Sequence, residues 1–217
     1  MTVAVALTLV LLALTLAVQP WSVLAGILLV ASHRGVLKES LYVLGWIIAL
    51  SVVFAISIAF SPSPPTSTSS AASHWIEIVT GALLGLLLLV RWRKPVATDQ
   101  AKQPAWLSKL DSMSPIVALA LGAFLPNYLV VVAAAGQILQ LNMSEAAIIG
   151  VGVIFVLIAS LGVAAPLGVL AFRHNRSAEI YESWRLWLIK NSRAVSYGTG
   201  GVVCLVLIVK GIVGLLT

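Results

Sequence analysis

Long apolar blocks, separated by short polar stretches, dominate this chain. They cover residues 3–30, 39–60, 74–90, 115–139, 144–172 and 194–216. Each approaches or exceeds the roughly 20 residues a helix needs to cross a bilayer. They lack the short period-two alternation of barrel strands, and helices and closed barrels are the backbones that lipid tolerates. The pattern predicts an all-α integral membrane protein of six transmembrane helices, in a single domain over residues 1–217.

Two connecting stretches have a character of their own. "SPSPPTSTSSAAS", residues 61–73, is too polar and proline-rich to pack and reads as an external loop. In 176–190, Ile180, Trp184, Trp187 and Leu188 fall at i, i+4, i+7 and i+8, one helical stripe. That spacing predicts a short helix on the inner membrane surface, held by lipid headgroups, or a solvated connector with aromatic anchors.

Composition agrees with the membrane reading. Hydrophobic residues make up 60% of the chain and charged residues 9%, against about 25% charged in soluble domains. The net charge of +6 brings no expectation of nucleic acid, because the charges lie between apolar blocks. Arg34 and Lys38 follow the first block, Arg91, Arg93, Lys94, Lys102 and Lys109 the third, and Arg173, Arg176, Arg185, Lys190 and Arg193 the fifth. Twelve of the 13 basic residues thus share one side, which the positive-inside rule makes cytoplasmic. Both termini are then external. No basic residue precedes the first block, so a cleavable signal peptide is not expected. A single cysteine, Cys204, supplies neither an internal disulfide nor a dithiol redox pair.

The first and fourth blocks share an oddity. "LAVQPWSVLAG" places Pro20 beside the amide Gln19, and "LGAFLPNYLVV" places Pro126 beside Asn127, both well inside a span. Proline opens a helix by removing one donor and clashing with the preceding turn. Three helices per half is an odd number, so a two-fold repeat must be inverted: repeat one over about 1–92, a cytoplasmic loop over about 93–114 and repeat two over about 115–217. Interrupted helices at matching places in inverted repeats mark the central site of a transporter. Gln19, Pro20, Trp21, Ser22, Pro126, Asn127 and Tyr128 are therefore candidate substrate-binding residues, with Trp46 and Pro166, another internal proline, beside them. The alternative is a proline kink used for packing, with each amide bonding a neighbouring helix. Symmetry is imperfect at Pro166, whose counterpart block has no proline. Gly81 and Gly85, and Gly198, Gly201, Gly211 and Gly214, fit close helix packing or a homodimer face.

Ionisable groups add little. Glu39 and Glu145 stand at predicted helix starts, where the helix dipole and interfacial water account for them. Glu77, just inside a predicted outer end, is a possible proton carrier. Lys210 is expected to snorkel to the outer surface. His33, His74 and His174 are scattered and form no metal set. Trp75, Trp92, Trp106, Trp184 and Trp187 fit an interfacial belt, while Trp21 and Trp46 sit deeper. No nucleophile–base pair, paired acids or metal-ligand cluster is apparent, so neither an enzyme nor a cofactor is expected.

Several stretches together, "QPWSVLAGILLVASHRG", "YVLGWIIAL", "TGALLGLLLLVRWRKP", "PAWLSKLDSMSPIVALALGAFLP", "VIFVLIASLGVAAPLGVL" and "WLIKNSRAVSYGTGGVVCLVLIVKGI", cover nearly the whole chain. In order and spacing they resemble the glycopeptidolipid- and sulfolipid-addressing proteins of the lysine-exporter superfamily. The resemblance implies a lysine-exporter-like fold in the bacterial cytoplasmic membrane, a role in moving lipids or glycolipids toward the envelope, and work beside a larger lipid exporter or lipid-assembly enzyme. Arg91, Arg93 and Lys94 would then gather anionic headgroups. One departure stands at Leu125, Pro126, Asn127 and Tyr128, where the family often has Asn-Pro and then a basic or polar residue; a basic residue's role does not carry over. A small-solute exporter and a non-transporting scaffold of an export complex remain as alternatives.

Overall fold

The computed structural model describes residues 3–60, 113–139, 143–172 and 176–216, together with 82, 85, 86, 89 and 90. Seven helices have their bounds among the described residues: α1 (Val3–Ala17), α2 (Pro20–Val30), α3 (Gly35–Ala59), α4 (Pro115–Phe124), α5 (Tyr128–Leu139), α6 (Glu145–Phe172) and α7 (Ser177–Leu216). The third predicted span lies largely outside the described residues, as do Arg91, Arg93, Lys94 and Glu77.

α3 and α6 are each long and apolar enough to cross a membrane alone. α1 with α2, and α4 with α5, qualify only as pairs, bent by 47° and 55°. The apolar surface shows why these helices need lipid. Along α3, Tyr42, Trp46, Leu50 and Phe54 turn inward, while Leu44, Ile48, Val52 and Ile56 on the other side are all about half exposed. A helix apolar all round is a core or membrane helix.

Both bends arise at the prolines, by different routes. Before Pro20, Gln19 is extended (φ −61°, ψ 112°), as a residue preceding proline prefers. Pro20 then occupies the first turn of α2, where its missing N–H costs nothing. Leu125, before Pro126, stays helical, and the chain leaves the helix after it. Tyr128 Oη donates back across this second bend to the Ala123 carbonyl.

Packing follows a reciprocal pattern. α3 lies against α4 and α5, α6 lies against α1 and α2, and α3 meets α6. Backbones touch where small residues allow it. A Cβ on Gly45 would stand 2.1 Å from the Leu119 carbonyl oxygen, one on Gly122 2.0 Å from that of Tyr42, and one on Gly162 1.7 Å from that of Ala17. α2 and α3 form an antiparallel hairpin whose turn holds Arg34 in the left-handed region (φ 56°).

One expectation needs correction. The predicted surface helix over 176–190 and the sixth predicted span form a single helix, α7, of 40 residues. At 1.5 Å per residue it is about 60 Å long, roughly twice the hydrocarbon thickness. Its N-terminal turns face the bundle: Tyr181 and Leu188 are buried, Ile180 and Trp184 partly so, and only Trp187 of the expected stripe is exposed. Tyr181 Oη donates to the Pro166 carbonyl at 2.8 Å.

Candidate functional site

The two bends meet. Gln19 Nε2 donates to the carbonyl of Leu125 at 3.1 Å, which joins the residue before Pro20 to the residue before Pro126. A kinked helix has freed carbonyls that need partners, and here one bend supplies the partner for the other. Pro20 and Pro126 are both buried.

A row of polar groups runs from this junction into the α2–α3 hairpin. α2 presents Gln19, Ser22 and Gly26, spaced i, i+3, i+7; α3 presents Glu39, Tyr42 and Trp46 with the same spacing. Because the hairpin is antiparallel, Gly26 faces Glu39 and Ser22 faces Tyr42. The Glu39 carboxyl lies against the Gly26 backbone, and a Cβ there would be 2.7 Å from Oε1. Tyr42 Oη donates to the Ser22 carbonyl at 3.0 Å. The Tyr42 and Trp46 rings stand 6.4 Å apart and tilted.

Burial makes this row unusual. Ser22, Glu39, Tyr42 and Trp46 are all at 0% exposure. Yet Gln19 Oε1, Ser22 Oγ, both Glu39 oxygens and Trp46 Nε1 meet no hydrogen-bond partner among the described residues. A buried polar atom left unmatched costs about 1–3 kcal/mol, more if charged. Native structures hold few of them, and a concentration calls for a functional explanation. Glu39 sits four residues into α3, about 6 Å along its axis, and Trp46 about 10 Å further. The row thus extends from the loop end of the hairpin to the depth of the bends.

At the loop end Lys38 is buried too. Its Nζ donates to Ser32 Oγ at 3.1 Å, and Ser32 Oγ donates to the Leu29 carbonyl at 2.8 Å. A cation at the C-terminus of α2 meets the negative end of its dipole.

The structure therefore gathers some of the sequence-predicted residues and separates others. Gln19, Pro20, Ser22, Trp46 and Pro126 lie at or beside the junction, with Trp21 half-buried against the core. Asn127 is exposed, so it is not turned into the gap with Gln19. Tyr128 is tied to its own bend. Pro166 is buried under Tyr181. Glu39, expected at the interface under dipole and water, is instead fully enclosed. Tyr42 was not expected in the site. The signal for both was present: Glu39, Tyr42 and Trp46 share one helical face, matching Gln19, Ser22 and Gly26 across a short turn.

Two larger hollows flank this row. One, about 440 Å³, lies between the C-terminal half of α3 and the start of α6, lined by Phe54, Ile58, Ile148 and Val156 with Glu145 at its edge. The other, about 360 Å³, lies among α2, α6 and α7 beside Tyr181 and Arg185. No group of three or more potential metal ligands occurs among the described residues.

No curated protein and no solved structure gives a significant match to this sequence. The family model described as Sap, sulfolipid-1-addressing protein, matches residues 9–213, nearly the full length. Apolar spanning helices, paired proline bends and this match over almost every described helix lead to one assignment: the chain belongs to the sulfolipid-1-addressing protein family.

Proposed function

We propose that the protein is a transporter, or the membrane-spanning component of one, that moves glycolipids across the bacterial cytoplasmic membrane toward the envelope. The family ties the chain to addressing a sulfolipid. The observation that carries the transport reading is the Gln19–Leu125 hydrogen bond between two broken helices, with unmatched buried polar atoms running away from it. Broken helices meeting within a membrane bundle are where transporters bind substrate.

In this reading the chain forms two inverted three-helix halves, as in lysine exporters, with both termini external. Reciprocal packing supports it, because α3 rests on α4 and α5 as α6 rests on α1 and α2. The headgroup meets the polar row, and the tails stay in lipid or against apolar faces. Arg91, Arg93 and Lys94 collect anionic headgroups on the inner side. A larger exporter or lipid-assembly enzyme delivers or receives the lipid, and a second copy of the chain is a further partner. The protein performs no covalent chemistry of its own.

One observation favours a second reading, a small-solute exporter: beyond Gln19 the polar row is enclosed, with four of its side chains at 0% exposure. The two readings separate in liposomes containing the purified protein, loaded with a fluorescent sulfated glycolipid or with labelled amino acids. Lipid movement supports the proposal; amino-acid movement without lipid movement overturns it. In cells, Gln19→Ala should lower surface glycolipid by about tenfold or more, equivalent to about 1.4 kcal/mol on the transport barrier, at normal membrane levels of protein. Unchanged surface glycolipid would argue for a scaffold.

A further inference from the structure

We propose that Glu39 is a proton-binding site that is loaded and emptied during export; the role in export rests on the transport reading above. Its side chain is completely enclosed, and neither oxygen has a hydrogen-bond partner among the described residues. The carboxyl lies on Gly26, the residue whose missing side chain leaves it room. Ser22 Oγ, itself buried and unmatched, lies one turn along the same face of α2. The Tyr42 hydroxyl is committed to the Ser22 carbonyl.

Structural duty does not account for this carboxyl. Were it a helix-dipole partner, it would sit at the start of α3 facing water; it lies in the second turn facing α2. Were it half of an ion pair, a cation would approach it. Lys38, its sequence neighbour, turns to Ser32 instead. α1, α2 and α4 contain no titratable residue. The ionisable residue of α6, Glu145, lies by the opposite half of α3, and Tyr128 of α5 is bonded within its own bend. On α7, Glu182 and Arg185 pair with each other at 3.2 Å. Among the described residues, the phenols of Tyr42 and Tyr181 are in electrostatic reach of Glu39. An ionised carboxylate enclosed without a cation is strongly disfavoured, whereas a carboxylic acid needs none. The site thus holds a proton when closed and releases it when water reaches it. Ionisable residues within membrane spans commonly serve such relays. The step is one proton bound to a Glu39 oxygen and the same proton released, with no other bond changed.

The test uses the full-length protein in phospholipid vesicles and dicyclohexylcarbodiimide, an apolar reagent that attaches to protonated carboxyls. Peptide mapping should find Glu39 modified faster than Glu145, with the rate falling as pH rises, and no adduct at this position in Glu39→Gln. A Glu39 that remains unmodified while Glu145 reacts overturns the proposal. In the same vesicles, a pH gradient of one unit should drive a fluorescent sulfated glycolipid to an uneven distribution across the membrane of up to about tenfold, the limit for one proton per lipid. Glu39→Gln, a neutral isostere that keeps the packing, should lose this response. A variant that responds to the gradient as the parent does also overturns it. If Glu39 is modified as expected but the parent protein moves no lipid, the transport reading fails and the proton site stands.

Discussion

The two bent pairs have similar shape and different chemistry. α1–α2 and α4–α5 bend by comparable angles at a proline next to an amide, and α6 packs against the first pair while α3 packs against the second. In α1–α3, fully buried polar or polar-tipped side chains stand among the apolar ones: Ser22, Glu39, Tyr42 and Trp46. Among the described residues that follow the third predicted span, α5 buries Val130, Val131, Ala134, Ala135 and Ile138, and α6 buries Phe155, Val156, Ala159 and Val163. The buried polar side chain there, Ser160, bonds the Val156 carbonyl of its own helix at 2.7 Å. Backbone geometry can therefore be shared by two segments while the unmatched polar groups gather in one. Shape should be equally sensitive to mutation in both, and export sensitive chiefly in the first.

The largest effects should come from the shared shape. Gly45→Val and Gly162→Val place a side chain on a carbonyl in each half, at Leu119 and Ala17. Backbone is the obstacle in both cases, so neither helix can yield by changing a rotamer. Each should cost about 3 kcal/mol or more, seen as loss of monodisperse protein in detergent and a lower unfolding midpoint. Similar losses would confirm that both contacts carry the architecture; a large loss in one half alone would break the comparison.

The helical architecture and both bends were legible in the sequence because a proline beside an amide inside an apolar block removes a backbone donor and crowds the preceding turn, although Pro166 shows that α6 runs on through an internal proline. The residues around Glu39 were harder to place. A carboxylate next to Lys38 and close after Arg34 reads as interfacial, and only the register of the α2–α3 hairpin turns it inward against Gly26. Left-handed Arg34 and then Gly35, whose Cβ would lie 1.9 Å from the Val30 carbonyl oxygen, set that register. Neither looks like a site residue by itself. The continuity of α7 was missed for a different reason. Its charged residues imitate a boundary between surface and span, but from Ser177 to Tyr197 there is no glycine or proline to end a helix.

Two tyrosines sharpen the comparison at smaller magnitude. Tyr42 and Tyr181 each donate to a helix carbonyl, of Ser22 in the first bent pair and of Pro166 in α6. Removing either hydroxyl should cost about 0.6 kcal/mol and no more than about 1.7, the range for hydrogen bonds between membrane helices. Tyr42→Phe should also slow glycolipid export, because it alters the polar row; Tyr181→Phe should leave export near normal. Equal loss of export in the two variants would mean that the polar row has no special role.

A pair of serines gives the smallest effect, and its sign is informative. Ser160 Oγ donates to a helix carbonyl, so Ser160→Ala removes a made bond and should destabilise by about 0.5 kcal/mol. Ser22 Oγ is buried beside a tyrosine whose donor is already used by the Ser22 carbonyl, and among the described residues no hydrogen-bond partner meets it. Ser22→Ala removes an unmatched group, so stability should stay level or rise by up to about 1 kcal/mol, read as the denaturant midpoint in detergent. A protein that keeps a destabilising hydroxyl keeps it for some other use, and glycolipid export should fall in Ser22→Ala even as the fold becomes firmer. If Ser22→Ala weakens the fold as much as Ser160→Ala does, the hydroxyl is an ordinary structural one, and the chemical contrast between the two bends narrows to Gln19, Glu39 and Trp46.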